Sequence, residues 1–435
     1  MLCKRRDKRQ MSKTTTKTKS QNKPDTRCKI NKRPELLSPA GNWEMLSAAI
    51  NAGADAVYFG VQQLNMRITA ANFKISDLKS VCKKCHENKG RKIKAYLTLN
   101  TIIYNNELSE VTASLKKAKA AGIDAVICWD PAVILECKKQ KIPIHISTQA
   151  SISNAASAKF YHELGTERIV LARECRLTDI TEIKKKVPGL GIEVFAHGAM
   201  CVSVSGRCFT SQFLFGKSAN RGDCLQPCRR EYETYRITDE ENNELILGNK
   251  FVMSAKDLCT IDILDKLMDA GADALKIEGR NKSAEYVSVV TAAYRKAIDA
   301  CMNGNLDDKL KAELKSELQK VFNRGFSTGF YMGVPINEFT DVYGSKSTEI
   351  KIHVGIVKNY YKKVSAAEIL IEDNSLKTGD EVFIIGPTTG CVRQQIKSMQ
   401  IEHKEAGMVK KGQRVAVKVE GVVRVNDKVY LIKNR

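Results

Sequence analysis

The chain has 435 residues, of which 43% are hydrophobic, and it carries a formal net charge of +22. Its length allows two or three domains of about 150 residues, or one (β/α)8 barrel of about 250 residues with additional parts. No stretch approaches the roughly 18 apolar residues of a membrane span, and the first residues, MLCKRRDKRQ, are too charged for the apolar core of a signal peptide. We therefore expect a cytoplasmic protein, in which 14 cysteines are more typical of metal binding or catalysis than of disulfides.

Residues 1–33 are polar, rich in Lys and Thr, and without apolar periodicity, which predicts a disordered basic tail. This tail has a charge balance of +11 and residues 351–435 have a balance of +7, whereas the middle of the chain carries only +4. Basic ends around a nearly neutral centre favour a polyanionic partner, most simply RNA or DNA. A solubilising tail with a lysine-rich surface remains an equal explanation for the tail itself.

From residue 34 to 349, short apolar strands alternate with amphipathic helices. A repeated phrase marks the units, as in NAGADAVYFG, AAGIDAVICWD and DAGADALKIEG. The candidate strands are 35–38, 56–59, 94–99, 125–128, 144–147, 168–171, 192–195, 251–253 and 274–277. This alternation predicts a TIM-like (β/α)8 barrel, with one of the nine candidates as an insertion strand. No G-x-G-x-x-G follows the first strand, which argues against a dinucleotide-binding sheet.

Residues 350–435 have a different pattern, with short β-type runs such as IKIHVGIVKNY, GDEVFIIG and QRVAVKV separated by turn residues. Strands at this spacing predict a small all-β barrel as a C-terminal domain. Its basic charge makes it a plausible RNA-binding accessory to the (β/α)8 domain.

Four cysteines are concentrated in one segment, residues 197–232, that follows the seventh strand. Cys201, Cys208, Cys224 and Cys228 have the spacing C-x6-C-x15-C-x3-C, with several glycines between them. Four thiolates on one turning loop favour a [4Fe–4S] cluster. Zinc is the rival metal, although structural zinc sites usually pair cysteines at closer spacing. Free buried thiols are the metal-free alternative, and Cys259 is a possible substitute ligand.

Polar residues stand at or after the ends of the predicted strands, where a barrel carries its active face. They are Arg67, Asn72, Asn100, Thr148, Gln149, His197, Glu278 and Arg280. A group formed by Arg67, Arg207 and Arg280 would suit a small dicarboxylate, because guanidinium binds carboxylates bidentately. We expect the substrate-binding set to be Arg67, Asn72, Gln149, His197, Arg207, Glu278 and Arg280. No catalytic residue is assigned. A hydrolase is the competing class, and the sequence contains neither a G-x-S-x-G nor an H-E-x-x-H motif to support it.

The segment EVFAHGAMCVSVSGRCFTSQFLFGKSANRGDCLQPCRREY resembles the signature of the U32 family, historically called peptidases or collagenase-like proteases. ELLSPAGNWEMLSAAINAGADAVYFG, MRITAANF, ISTQASISN and MSAKDLC resemble that family as well. The resemblance covers everything except the basic tail, to which it gives no role.

The resemblance implies an oxygen-independent hydroxylase with a [4Fe–4S] cluster on Cys201, Cys208, Cys224 and Cys228. The single-chain layout is most similar to the branch that hydroxylates the wobble uridine of tRNA at C5, with prephenate as the implied hydroxyl donor. Hydroxylation of a ribosomal RNA cytidine and peptidase activity are the alternatives within the family. Oligomeric state is not predicted.

Overall fold

The computed structural model describes residues 32–435, apart from residues 89, 234–236, 239, 242–243, 246–249, 252 and 337. Nearly all of the predicted basic tail, residues 1–31, therefore lies outside the described residues. Within the described ranges, none of the helices combines the length and the apolar composition needed to cross a lipid bilayer.

Eight parallel strands form a closed barrel. The described strands of this part of the chain are β1 (Glu35–Pro39), β2 (Ala56–Gly60), β3 (Lys94–Thr98), β4 (Ala125–Cys128), β5 (Ile144–Ile146), β6 (Arg168–Val170), β7 (Gly191–Gly198), β8 (Ile237–Thr238), β9 (Glu244–Leu245), β10 (Asp257–Cys259), β11 (Ala274–Ile277) and β12 (Phe326–Ser327). Strands β1 to β7 pair in sequence order, and β11 pairs in parallel with both β7 and β1. This closure confirms the TIM-like barrel, whose ligand sites are expected at the carboxyl ends of the strands.

The prediction of a strand at 251–253 is wrong for the two residues described there, because Phe251 and Met253 lie outside any strand. The additional strands beside the barrel are β10, which pairs antiparallel with the end of β7, and β12, which pairs in parallel with β10. Phe251 is buried without being in a strand. A short apolar run does not distinguish a strand from a buried turn, which explains the error.

The helices of the barrel domain mostly alternate with the strands, although one of them, Thr210–Phe215, lies within the cysteine-rich loop. They are α1 (Trp43–Asn51), α2 (Leu78–His86), α3 (Leu108–Ala121), α4 (Pro131–Gln140), α5 (Ala155–Glu163), α6 (Leu177–Lys186), α7 (Thr210–Phe215), α8 (Leu264–Asp269), α9 (Ala284–Met302) and α10 (Asp308–Lys320). Four of them begin at a side chain that accepts a hydrogen bond from a backbone N–H of the first turn, namely Asn42, Asp130, Asn154 and Asp307. Such caps satisfy N–H groups that have no partner within the helix.

Ion pairs cross the inside of the barrel near the amino ends of its strands. Nη1 of Arg168 lies 2.6 Å from Oε1 of Glu35 and 3.3 Å from Oε2 of Glu193. Nζ of Lys276 lies 2.7 Å from Oε1 of Glu193. Glu35 and Arg168 border a hollow of about 780 Å³ at this end of the barrel, lined largely by charged side chains. The barrel therefore has an ionic interior that links β1, β6, β7 and β11.

The C-terminal part is built from antiparallel strands around a separate apolar core. The strands are β13 (Glu349–Tyr361), β14 (Ala366–Ile371), β15 (Ser375–Lys377), β16 (Glu381–Gly386), β17 (Gly390–Gln395), β18 (Met399–Ile401), β19 (Lys404–Glu405), β20 (Met408–Lys410), β21 (Arg414–Lys418) and β22 (Lys428–Asn434). Eight of them form one sheet in the order β17-β16-β22-β13-β14-β21-β18-β19, and β15 pairs with β20. This arrangement agrees with the all-β domain predicted for this part of the chain.

The turn between β16 and β17 packs against helix α1 and so connects the C-terminal sheet to the barrel domain. Asn51 Nδ2 donates to the carbonyl of Thr389 at 3.0 Å, and Ser47 Oγ donates to the carbonyl of Pro387. Gly390 has a φ of +76°, and a Cβ there would lie 2.7 Å from the backbone nitrogen of Ala48. The contact therefore needs glycine both for its backbone conformation and for the close approach.

Candidate active site

A cavity of about 120 Å³ lies at the carboxyl ends of the barrel strands, against the cysteine-rich loop. Its lining includes residues selected from the sequence, namely Arg67, Asn100, Thr148, Gln149, Glu278, Arg280, Cys201, Cys208, Cys224 and Cys228. These residues are far apart in sequence, but a parallel barrel brings the segments that follow its strands to one rim. The structure therefore assembles a single polar site from many separate loops.

An ion pair between Arg67 and Glu278 forms one wall of the cavity. Nη2 and Nε of Arg67 lie 3.1 Å and 3.3 Å from Oε1 of Glu278. Burial alone would raise the pKa of Glu278, but the positive charges of Arg67 and neighbouring basic residues hold it below its ordinary value. Glu278 is consequently an anion at neutral pH, and it fixes the guanidinium of Arg67 at the cavity.

Arg280 is a buried arginine that is held by neutral groups. Its Nη1 donates to Oγ1 of Thr98 at 2.8 Å and to Oδ1 of Asn65 at 3.1 Å. Burial lowers the pKa of Arg280 to about 10, so the guanidinium is charged at neutral pH. Because these partners leave its charge uncompensated, Arg280 adds net positive charge to the cavity and favours an anionic ligand.

Two side-chain amides approach each other in the lining of the cavity. Nδ2 of Asn100 lies 3.4 Å from Oε1 of Gln149 and 3.4 Å from Oγ of Ser147. The hydroxyl of Ser147 also donates to Oε1 of Gln149. The site thus offers amide groups with donors and acceptors beside its cationic groups, a combination that suits a ligand carrying both charge and polar edges.

The cysteine-rich loop leaves the barrel after β7 and is braced by its own side chains. Oδ1 of Asn220 accepts the backbone N–H of Cys208 at 3.1 Å, and Oγ of Ser211 accepts the backbone N–H of Leu225 at 3.0 Å. Backbone N–H groups also donate to the sulfurs of Cys208 and Cys224, each at 3.4 Å. Hydrogen bonds of this kind stabilise thiolate and tune metal-bound sulfur.

The four loop cysteines supply the donor set that a cubane cluster would need, one thiolate for each iron. All four cysteines line the same cavity, and none of these four is joined in a disulfide. Within the described residues, no three His, Cys, Asp or Glu side chains converge on one point as ligands of one ion. A cubane places each cysteine on a different iron, so its four sulfurs surround a volume and do not share one ion. Burial raises the pKa of Cys228, and the three other loop cysteines raise it further, as expected for sulfurs that face one another.

Three residues of the predicted binding set do not line the cavity. Asn72 donates from Nδ2 to the carbonyls of Arg67 and Ala70, at 2.8 Å and 2.9 Å, and so shapes the loop that carries Arg67. Arg207 is exposed, and its Nη2 lies 3.0 Å from Oγ of Ser151. His197 points into the core behind the cavity, where its Nδ1 lies 3.4 Å from the hydroxyl of Tyr294.

Cys259, the possible substitute ligand, is also behind the cavity. Its side chain is buried on β10, and its sulfur lies 3.9 Å from the hydroxyl of Tyr294. Burial raises the pKa of this thiol to about 11. The structure thus places Cys259 with the core and apart from the four loop cysteines that line the cavity.

Sequence reasoning missed six polar residues of the lining, namely Tyr58, Thr98, Ser147, Arg173, Thr210 and Lys276. Arg173 follows β6 in the string VLAR, so the rule of strand-end polar residues could have found it. Its guanidinium lies 3.9 Å from the ring centroid of Phe195. Lys276 interrupts the apolar strand ALKI, and a charge within a buried strand is itself a signal. With these residues, the lining holds four cationic side chains. Arg67 pairs with Glu278 and Lys276 with the buried Glu193, so Arg173 and Arg280 carry the excess positive charge.

The chain belongs to Peptidase family U32, whose sequence profile matches residues 41–340. It is 45% identical over 405 residues to an uncharacterized protease of Methanocaldococcus jannaschii, covering 92% of this chain and 98% of the relative. It is 40% identical to a collagenase of Porphyromonas gingivalis over 413 residues, covering 92% of this chain and 98% of that protein. It is also 38% identical over 364 residues to tRNA hydroxylation protein P1 of Bacillus subtilis, covering 82% of this chain and 85% of that protein.

Proposed function

We propose that the protein is an iron–sulfur-dependent, oxygen-independent hydroxylase that converts the wobble uridine of tRNA to 5-hydroxyuridine, with prephenate as the hydroxyl donor. The observation that carries this proposal is the presence of four cysteines and four cationic side chains around one cavity at the barrel mouth. The similarity to a protein named for tRNA hydroxylation supports an RNA substrate, and the basic charge of the chain suits a polyanion.

In this proposal the residues of the chain have separate roles. Cys201, Cys208, Cys224 and Cys228 would hold a [4Fe–4S] cluster, which supplies electron-transfer chemistry at the cavity when bound.

The cationic residues would bind the donor. Arg67, Arg173 and Arg280 would hold its two carboxylates, because a planar guanidinium pairs with a carboxylate through two hydrogen bonds. The amides of Asn100 and Gln149 would bind the polar edge of the uracil ring, as in enzymes that take a base out of its stack. The small cavity would exclude bulk water from the reacting ring.

The nucleoside content of a deletion strain tests the proposed reaction. Mass spectrometry of total tRNA should show that the deletion strain lacks 5-hydroxyuridine and its derivatives. The parent gene should restore these nucleosides, and a gene for the Arg280→Gln variant should not. If the tRNA nucleosides are unchanged and a hydroxycytidine is missing from ribosomal RNA, the substrate is ribosomal RNA and not tRNA. Unchanged nucleosides in both RNAs would contradict the hydroxylase proposal.

Anaerobic purification tests the cluster. We expect a brown protein with iron and sulfide in equal amounts, and a colourless protein when the four loop cysteines are replaced by serine. A colourless parent protein that contains one zinc per chain would contradict the assignment.

Peptidase activity is the alternative suggested by the names of several relatives. The described structure gives this alternative little support, because Oγ of Ser205 donates to Glu174 at 3.0 Å, whereas His197 faces the core and contacts Tyr294. A serine nucleophile needs a histidine base within hydrogen-bond reach. Cleavage of gelatin by the pure protein, lost on Ser203→Ala or Ser205→Ala substitution, would favour the peptidase.

A further inference from the structure

A second cavity, a groove of about 990 Å³, lies on the other side of the cysteine-rich loop from the barrel-mouth cavity. One wall is the loop itself at residues 224–231, and the other comes from Phe322, Arg324 and Tyr343, in the segment after α10. Cys224 lines both cavities. The loop is therefore a thin partition, and a ligand in this groove would lie directly beside the cavity in which we place the chemistry.

The groove is strongly basic. Arg229, Arg230, Lys282 and Arg324 line it, against the single carboxylate of Glu231, which lies 3.1 Å from Nζ of Lys250. Lys282 has no carboxylate within ion-pair distance among the described residues, and its Nζ lies 3.1 Å from the ring centroid of Phe322. An ammonium that is held over an aromatic ring without an anion is ready to receive one from a ligand.

The basic residues of the groove are not equally available. Arg229 is engaged by the protein, since it donates to the carbonyls of Met200 and Ala255. Arg324 donates to Oδ1 of Asp257 at 3.3 Å. Lys282 and the exposed Arg230, whose guanidinium lies 4.5 Å from the ring centroid of Phe215, remain for a ligand.

An aromatic ring completes the groove. Tyr343 is 69% exposed beside these cations. Exposed aromatic rings next to basic side chains are the usual means by which proteins hold single-stranded nucleic acid, because bases stack on the rings while the cations follow the phosphates.

We propose that this groove binds the single-stranded RNA next to the target base, with Tyr343 stacking on a neighbouring base and Lys282 and Arg230 contacting phosphates. This inference rests on the proposed function, because it takes RNA as the substrate. It adds how the strand is held: the barrel-mouth cavity of about 120 Å³ is far too small for a polynucleotide strand, so the nucleotides that flank the target base need a surface of their own.

Binding of a fluorescent oligouridine of about 10 nucleotides, a length that one such site covers, tests the groove. We expect Tyr343→Ala to weaken binding by roughly tenfold, with Tyr343→Phe close to the parent protein, because the ring and not the hydroxyl stacks. Lys282→Ala is expected to reduce the slope of log affinity against log salt by about 0.7, the contribution of one single-strand phosphate. Lys282→Gln removes the charge but keeps most of the side-chain volume, so it should reduce the slope in the same way and tests the same point if the alanine variant does not fold, whereas Lys282→Arg should keep the slope.

Matched controls lie on the outer surface of the barrel. Phe160 on α5 is 57% exposed and Lys139 on α4 is exposed at 78% of its side chain, and their alanine variants should bind RNA like the parent protein. Suppose that the parent protein binds the oligonucleotide and both groove variants keep its affinity and its salt slope. That result would refute RNA binding in the groove and would leave the proposed hydroxylase function unaffected. If the deletion strain keeps all its modified nucleosides, the proposed function fails by a separate measurement.

Discussion

His197 follows the rule of strand-end polar residues and yet turns away from the ligand cavity. Its side chain is 2% exposed and its ring centroid lies 5.5 Å from that of Tyr294 and 5.6 Å from that of Phe326. Burial, with a smaller contribution from the charge of Lys282, lowers the pKa of His197 to about 3. The histidine is therefore neutral at physiological pH and supports the wall of the site from behind.

We expect His197→Asn to reduce the loss of stability in mild acid. The unfolded chain protonates this histidine near its ordinary pKa of 6.5, whereas the folded protein keeps it neutral down to a pKa of about 3. Above pH 6.5 this histidine therefore does not lower the free energy of unfolding. As the pH falls from 6.5 towards 3, the free energy of unfolding decreases, by about 2 kcal/mol from this group at about pH 5.

Urea unfolding at about pH 7 and about pH 5 measures this effect. The free energy of unfolding of His197→Asn should fall by about 2 kcal/mol less than that of the parent protein between the two conditions. The exposed His162 on α5 provides the control, because His162→Asn should behave like the parent. Equal pH dependence in His197→Asn and the parent would refute a buried neutral histidine.

At the residue scale, the sequence could predict which segments reach the rim but not where each side chain points. Arg67, Gln149 and Arg280 line the cavity as expected, because they follow strands at the carboxyl end of the barrel. Asn72 follows β2 as well, but its amide is used to close the Arg67 loop. Rotamer and local hydrogen bonding decide between these outcomes, and neither is visible in spacing.

At the scale of elements, the cysteine-rich loop is fixed to the barrel by a close backbone contact at Gly222. This residue has a φ of +88°, and a Cβ there would lie 2.3 Å from the carbonyl oxygen of Asn65. Asn65 precedes Arg67, so one contact sets the distance between the loop that carries Cys224 and the loop that carries Arg67.

We expect Gly222→Ala to lower the iron content of the anaerobically purified protein severalfold, because the loop must move away from Asn65 and misplace Cys224. Gly216→Ala in the same loop is the matched control, since Gly216 also has a positive φ, +66°, but faces open space. Iron and sulfide analysis measures both variants. The interpretation fails if Gly222→Ala retains the iron content of the Gly216→Ala protein.

The barrel elements were largely readable from the sequence, whereas the additions to the barrel were not. The eight barrel strands are largely buried and mostly apolar runs that recur between helices, a pattern typical of a parallel sheet covered on its outer face. Strands β10 and β12 have only three and two residues. They exist through pairing with the end of β7 and with each other, and such tertiary pairing leaves no periodicity in the sequence.

At the scale of the whole molecule, the C-terminal sheet is joined to the barrel through α1 and the turn before Gly390. We expect Gly390→Ala to loosen this junction, because the new Cβ would collide with the backbone of α1. Gly379→Ala is the control, since Gly379 has a positive φ of +94° but open space around it. Limited proteolysis should release the C-terminal domain faster in Gly390→Ala than in Gly379→Ala. Equal cleavage rates would show that the turn does not hold the two parts together.

The ion pairs inside the barrel have a consequence for how the chain can be divided. Arg168 on β6 reaches Glu35 on β1, and Lys276 on β11 reaches Glu193 on β7. A fragment that ended after β4 would lose Arg168, whose Nη1 lies 2.6 Å from Oε1 of Glu35, and would keep only Lys94 at 3.0 Å as the partner of Glu35, so an ionic network that spans both halves of the barrel would be cut. This barrel should therefore reach its native state only when the last strand pairs with the first, unlike barrels whose halves fold separately. We expect circular permutants that keep all eight strands to fold, and half-barrel fragments not to fold.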